Sequence, residues 1–334
     1  MDIENISIED RIMELINTGI DLSGEEVYDQ AFETHLQAVH LAEEVEGVIN
    51  PDYYAYANAE LAYVIRQSSG DREEAMDILH KTLEETRKAF IIEDIIERSF
   101  FGTARLEEEI GLVLRNFPKK DEKYEDLKQA SNKMNEAVEN YAHASMKPEQ
   151  EIVDKETIED HLFRCKGISA MIGLKLAGMS RTLERREYLM LAKNHANSEV
   201  FERKQRGEKS GFGYLNSLHT LGAVESEFAA ESQTQYQIAK DHLEEAKELA
   251  QDLGYPRGEN ITNAIDFRLV WLEYRRDPSK IDQLGKRLDD IWPALVGTFD
   301  RNESIKGFFK DQMMELGENI GGPYRQRIID LYKE

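Results

Sequence analysis

Cysteine is almost absent from this chain. Cys165 stands alone among 334 residues, which excludes an internal disulfide framework and any Cys-rich zinc site. Proline is nearly as scarce, at seven residues, and with Glu, Leu, Ala, Lys and Ile abundant little interrupts helix. No apolar run approaches the roughly 20 residues that a bilayer-spanning helix needs. The least polar stretch, residues 167–180, is broken by Lys175. The start, MDIENISIED, is acidic where a secretory signal would carry a basic and then an apolar segment. Positive charge is short throughout: 42 Lys and Arg against 66 Asp and Glu leave a formal net charge of −24. That balance argues against nucleic acid and anionic membrane, whose phosphates require clustered Lys and Arg. A basic protein partner fits it, although solubility alone accounts for an acidic surface. The expectation is a soluble cytoplasmic protein. Apolar content of 40% is enough for a buried core.

What is present is amphipathic helix, in pairs. Ile8, Ile12, Leu15 and Ile16 share a face of a first helix over residues 5–19. The Asp21-Leu22-Ser23-Gly24 segment reads as a turn into a second helix that ends near Gly47. In the second helix Ala31, Ala38 and Ala42 admit a close neighbour. Residues 1–65 contain Arg11 as their only Lys or Arg, a negative face read as a solvated cap in preference to a docking site. Pro51 restarts the chain. A second pair then turns at Ser69-Gly70-Asp71, with Gly70 as C-cap and Asp71 as the next N-cap. Further pairs cover residues 91–116 and 121–144, 156–177 and 181–206, 214–228 and 232–253, and 260–275 and 279–291. A tail over 303–332 closes the stack. Residues 145–155 are the candidate for a looser joint. Gly167, Ala170, Gly173 and Ala177 form a small-residue stripe that reads as close helix packing; each interior glycine costs roughly 1 kcal/mol relative to alanine.

Chemical motifs are thin. Asp77-x-x-His80 is the nearest approach to the Glu-x-x-His of di-iron bundles and stands alone. No His-Glu-x-x-His occurs. His161 and Cys165 share a helical face, but two ligands do not make a metal site, and a buried thiol beside a half-buried histidine is the simpler reading. GEKSGFG at residues 207–213 lacks the spacing and the preceding strand of a phosphate loop. No nucleophile carries a local signature, and neither a metal nor a cofactor is expected. Tyr53, Tyr54, Tyr56 and Tyr63 form an aromatic cluster that serves either recognition or repeat core.

About seven helix pairs in succession are a repeat signature. At Leu61-Ala62 with Gly70-Asp71 and Ala75, at Leu221-Gly222, and at ELAQDLGYPRGE the chain resembles the tetratricopeptide repeat family. Its long-period repeats are similar to those in the sensor regions of bacterial regulators. The resemblance covers roughly residues 53–89 and 215–277; elsewhere only the amphipathic pairing persists. It implies an all-α, right-handed superhelical solenoid over residues 1–334, a single domain whose first helices line a concave groove for a peptide or protein segment. Carried onto this chain, the groove candidates are Tyr56, Tyr63, Arg66, Asn216, His219, Asn263 and Asp266. The leading expectation is a non-catalytic scaffold; the alternatives are a peptide-sensing receptor that changes superhelix pitch and, below it, a helical enzyme or accessory subunit.

Overall fold

The computed structural model describes residues 7–45, 49–68, 71–92, 100–119, 122–252, 257–301 and 303–332. Every regular element among them is helical: fourteen α-helices and two short 3-10 turns, Pro148–Gln150 and Pro278–Lys280. None of the described helices is long and apolar enough to cross a membrane. The chain divides into two compact units, Met1–Ile172 and Gly173–Glu334. The first holds α1 (Ile8–Gly24), α2 (Tyr28–Glu44), α3 (Pro51–Ser68), α4 (Arg72–Ile92), α5 (Phe101–Asn116) and α6 (Lys123–Met146). The division falls inside α7 (Lys155–Met179). Residues 145–155 hold the end of α6, the first 3-10 turn and the start of α7.

In the first unit each helix from α1 to α6 packs against its successor, and α1, α3 and α5 also touch one another in sequence. Local chemistry sets the ends. Ser7 Oγ accepts the Asp10 N–H at 3.0 Å and starts α1. Asp71 accepts the Glu74 N–H at 3.0 Å at the start of α4, as its N-cap position predicts; Gly70 lies outside the described residues. One expected turn is misplaced: α1 runs through Asp21-Leu22-Ser23-Gly24. The break comes at Glu26, whose φ of 62° is left-handed. Glu25, Glu26 and Val27 return their N–H groups to Asp21, Ser23 and Leu22, so backbone bonds of the C-capping kind end the helix where no glycine stands.

The helix wrapped most completely is α5, with thirteen of its sixteen residues buried. Its first turn has no cap from its own chain segment. Instead Asp52, at the start of α3, accepts the Gly102 and Thr103 N–H groups at 2.8 and 3.2 Å. Glu151 accepts those of Phe100 and Phe101 at 3.0 and 2.9 Å. Two carboxylates thus satisfy the orphan donors and meet the positive end of the helix dipole. Gly102 makes this approach possible, since a Cβ there would lie 2.4 Å from the Asp52 carbonyl oxygen.

The second unit continues with α8 (Thr182–Gln205), α9 (Gly211–Ser226), α10 (Gln233–Asp252), α11 (Arg257–Arg276), α12 (Ile281–Arg301), α13 (Glu303–Ile320) and α14 (Gly322–Leu331). Helices from α8 to α14 again pack successively, and α9, α11 and α13 touch in sequence. The Leu221-Gly222 pair sits where α10 crosses α9: a Cβ on Gly222 would meet Leu243 Cγ at 2.7 Å. Leu243, Ala246 and Ala250 bury one face of α10. In the small-residue stripe, Gly173 brings α7 against Ala192 and the Tyr188 carbonyl of α8. The Gly254-Tyr255-Pro256 part of the expected turn lies outside the described residues.

A second correction concerns α12. The expected helix ends at Ile291, before Pro293, yet α12 continues through that proline to Arg301. Pro293 forfeits one backbone bond, an interior cost of about 3 kcal/mol. Leu295 and Phe299 on the following turns are fully buried against Phe309, Met313 and Leu316, and burying two such side chains contributes about 1.5–3 kcal/mol each. The burial outweighs the break.

Candidate functional site

Among the described residues, each unit contains a buried polar centre. In the first, Arg105 lies within α5 and donates from Nε and Nη2 to Glu60 Oε1 on α3 at 2.8 and 2.6 Å. Its Nη1 reaches Glu108 Oε2 at 3.2 Å. Glu108 also accepts Tyr141 Oη at 2.8 Å and Arg164 Nε at 2.6 Å, and His161 Nδ1 stands 2.9 Å from its Oε2. Glu107 accepts from Asn140 at 2.7 Å, while Glu109 pairs with Arg66. Three consecutive glutamates are therefore buried in three directions, because neighbours surround α5.

The environment sets the protonation states. Burial pushes the Glu108 carboxyl up, but Arg164, Arg105 and His161 outweigh it and hold the group well below the usual carboxylate range. At Glu60 the Arg105 cation likewise overcomes burial. Burial and the Glu108 charge push both the Cys165 thiol and the Tyr141 phenol well up. Cys165 is therefore a protonated core thiol at neutral pH rather than a nucleophile. His161 is lowered, burial outweighing the attraction of Glu108. Phe101 edges onto both Tyr56 and His161, at 5.0 and 5.5 Å between ring centroids. The arrangement locks α3, α5, α6 and α7 together within the unit. Among the described residues no group of three or more His, Cys, Asp or Glu is placed to hold a metal.

The second centre borders space. In the second unit a cavity of about 300 Å³ is lined by Lys175 of α7, Arg185 of α8, Glu227 just after α9, Arg268 and Trp271 of α11, and Gln312 of α13. Leu174, Leu189 and Met314 add apolar wall. Arg268 is 0% exposed, its guanidinium donates to Gln312, and it lies 4.3 Å from the Phe309 ring centroid. Burial lowers its pKa to about 9, against the opposing attraction of Glu227. Glu227 accepts Trp271 Nε1 at 2.8 Å, Arg185 Nη2 at 2.7 Å and Gln312 Nε2 at 3.3 Å. This volume is at the lower end for small-ligand pockets, and charged or polar side chains supply about half of the lining, more than is usual in such pockets.

The seven groove candidates divide. Tyr56 is buried, and Arg66 is buried against Glu109 with Tyr63 beneath its guanidinium at 5.2 Å. Asn216 is exposed. His219 is half-buried, its pKa lowered to about 3 by burial and then by the Arg268 charge. Asn263 donates to Thr298 Oγ1 at 3.1 Å, and Asp266 takes the Lys247 ammonium at 2.6 Å. None of the seven lines the cavity, although His219 stands within the field of Arg268. Sequence reasoning missed Arg268, Glu227 and Trp271. The available signal was an arginine inside the largely apolar stretch AIDFRLVWL, where a charge is rarely buried unless it is paired.

No family model matches this chain, and no curated protein sequence matches it either. In fold it is similar to BtubC (BKLC) from P. vanneervenii, solved as a crystal structure. The likeness covers 84% of this chain and 91% of that one, with a TM-score of 0.50 and 13% identity. At that identity the similarity concerns fold alone.

Proposed function

We propose that this protein is a non-catalytic binding scaffold of tetratricopeptide-like helix pairs, and that an extended protein or peptide segment is its ligand. The observation that carries the reading is where the second-unit cavity lies. Within that unit α9, α11 and α13 form a touching series, and α11 and α13 supply Arg268, Trp271 and Gln312 to the cavity. In paired-helix repeats that inner series faces the ligand, and the concave surface is the binding surface. Asn216, exposed on α9, stays a groove candidate. Tyr56 and Arg66 act in this reading as packing within the first unit.

The test is selection of peptides from a random library by the purified protein, followed by affinity measurement on Leu189→Arg and Asn216→Ala variants. Enriched peptides that bind the wild type and lose about tenfold or more on Leu189→Arg, roughly 1.4 kcal/mol, support the reading. Enrichment no better than on bare resin, or affinity untouched by both substitutions, overturns it.

A further inference from the structure

We propose that α8 is a dimerisation helix: two copies of this chain pair through its outward face, with their α8 helices parallel. Leu189, Ala192, Ala196 and Val200 turn inward and are buried. On the opposite side Leu183, Met190 and Phe201 are 72%, 44% and 62% exposed. At 3.6 residues per turn these three fall within about 20° of one line along the helix, over roughly 27 Å. Single exposed hydrophobic side chains are ordinary on a surface, whereas a row of them in register along one helix marks an interface. The spacing is that of a coiled-coil seam. With Leu183 and Met190 at d, the a positions fall to Glu187, Asn194 and Phe201.

Charge decides what covers the row. The chain as a whole carries −24, but within α8 the Lys and Arg residues balance the Glu residues, so two copies can meet here without the repulsion that opposes contact elsewhere. The balance is also sided. Glu184 and Glu187 flank the row on one side and Arg186 on the other, and all three are exposed. Farther along, Glu202 lies on the acidic flank and Lys204 on the basic one. In a parallel pair opposite flanks meet, which sets Arg186 of each copy beside Glu187 of the other; the twofold axis makes that contact twice. In an antiparallel pair like flanks meet, bringing Glu184 towards Glu202 of the second copy and costing stability. Arg186 now reaches Glu231 at 3.9 Å with both side chains exposed, an ion pair that solvent leaves weak and exchangeable. Asn194, at the middle a position, selects a two-stranded register in which it faces its own copy. Glu187, Asn194 and Asn197 interrupt the apolar seam, so the pair should be reversible, with a dissociation constant that is roughly micromolar.

The test is the oligomeric state of the full chain, followed by sedimentation velocity from about 1 to about 300 μM. The substituted side chains are exposed, so the variants should fold, and circular dichroism checks that they do. A monomer–dimer equilibrium is expected, and Leu183→Glu or Phe201→Glu should weaken it about tenfold or more. Arg186→Glu should weaken it too, and adding Glu187→Arg to that variant should recover most of the loss. Leu183→Cys reports direction, because the native Cys165 is buried. In a parallel pair the two introduced thiols meet and oxidation links the copies; in an antiparallel pair they stand roughly 27 Å apart. A monomer throughout, or a dimer indifferent to both Leu183→Glu and Phe201→Glu, overturns the proposal. A dimer that Arg186→Glu leaves unchanged, or a disulfide that forms only when Leu183→Cys is mixed with Phe201→Cys, overturns the parallel pairing.

Discussion

Replacing Asp52 by alanine tests how the first unit is held together. The carboxylate is fully buried and receives two backbone donors of α5, from Gly102 at 2.8 Å and Thr103 at 3.2 Å. Hydrogen bonds to a charged partner contribute about 1.5–3 kcal/mol each, and leaving a buried donor unsatisfied costs about 1–3 kcal/mol. The carboxylate at the positive end of the helix adds about 0.3–2 kcal/mol. Because these effects overlap, the expected loss is about 3–5 kcal/mol, against about 1–2 kcal/mol for Asp52→Asn, which keeps one acceptor. Glu151→Ala removes the part-buried partner of Phe100 and Phe101 and should cost about 1–2 kcal/mol. Urea unfolding followed by far-UV circular dichroism gives the global value, and hydrogen exchange at Gly102 and Thr103 localises it. If Asp52→Ala loses less than about 1 kcal/mol with those two amides still protected, the cross-helix cap is not what satisfies α5, and the reasoning fails.

Glu108→Gln should cost about 3–5 kcal/mol by removing the carboxylate that Arg164 and, beside Glu60, Arg105 share in the core, measured by the same unfolding curves; a neutral result would mean the network reorganises without it. Bulky replacement of Ala246, or Gly222→Ala against Leu243, should each cost about 1–3 kcal/mol through overpacking, and unchanged melting would refute the proposed α9–α10 crossing. Acidification provides a third check. His35, His80 and His161 are lowered in the folded protein, chiefly by burial, and His219 to about 3. A histidine so depressed stays neutral while its unfolded counterpart takes up a proton. Stability is therefore full above about pH 6.5 and falls below it, by up to about 1.4 kcal/mol per pH unit for each such histidine until its folded pKa is reached. His219→Gln should flatten that slope; stability that is level from pH 7 to 5.5 would contradict the assignment.

Helix ends and pairings were legible from the residues because their causes are local. The Asp71 cap and the restart at Pro51 each depend on neighbours within a turn or two. The expected stop at Gly19 failed because α1 runs on to Gly24; the one before Pro293 failed where distant contacts overruled local preference, as Leu295 and Phe299 do against Phe309. The polar centres were illegible for the same reason. Nothing local separates the buried Glu107–Glu108–Glu109 from the many solvated carboxylates of so acidic a chain. Their burial depends on Arg66, Asn140, Tyr141 and Arg164, from 33 to 56 positions away. Arg268 reads as an anomaly in an apolar helix until Gln312, Phe309 and the cavity beside it come together. The sequence by itself determined that the chain is helical and where most helices start, since capping and periodicity act over a few residues. Only tertiary structure decided which charges lie inside and which border a cavity, because the free energy of a buried charge is set by partners the local chain does not contain.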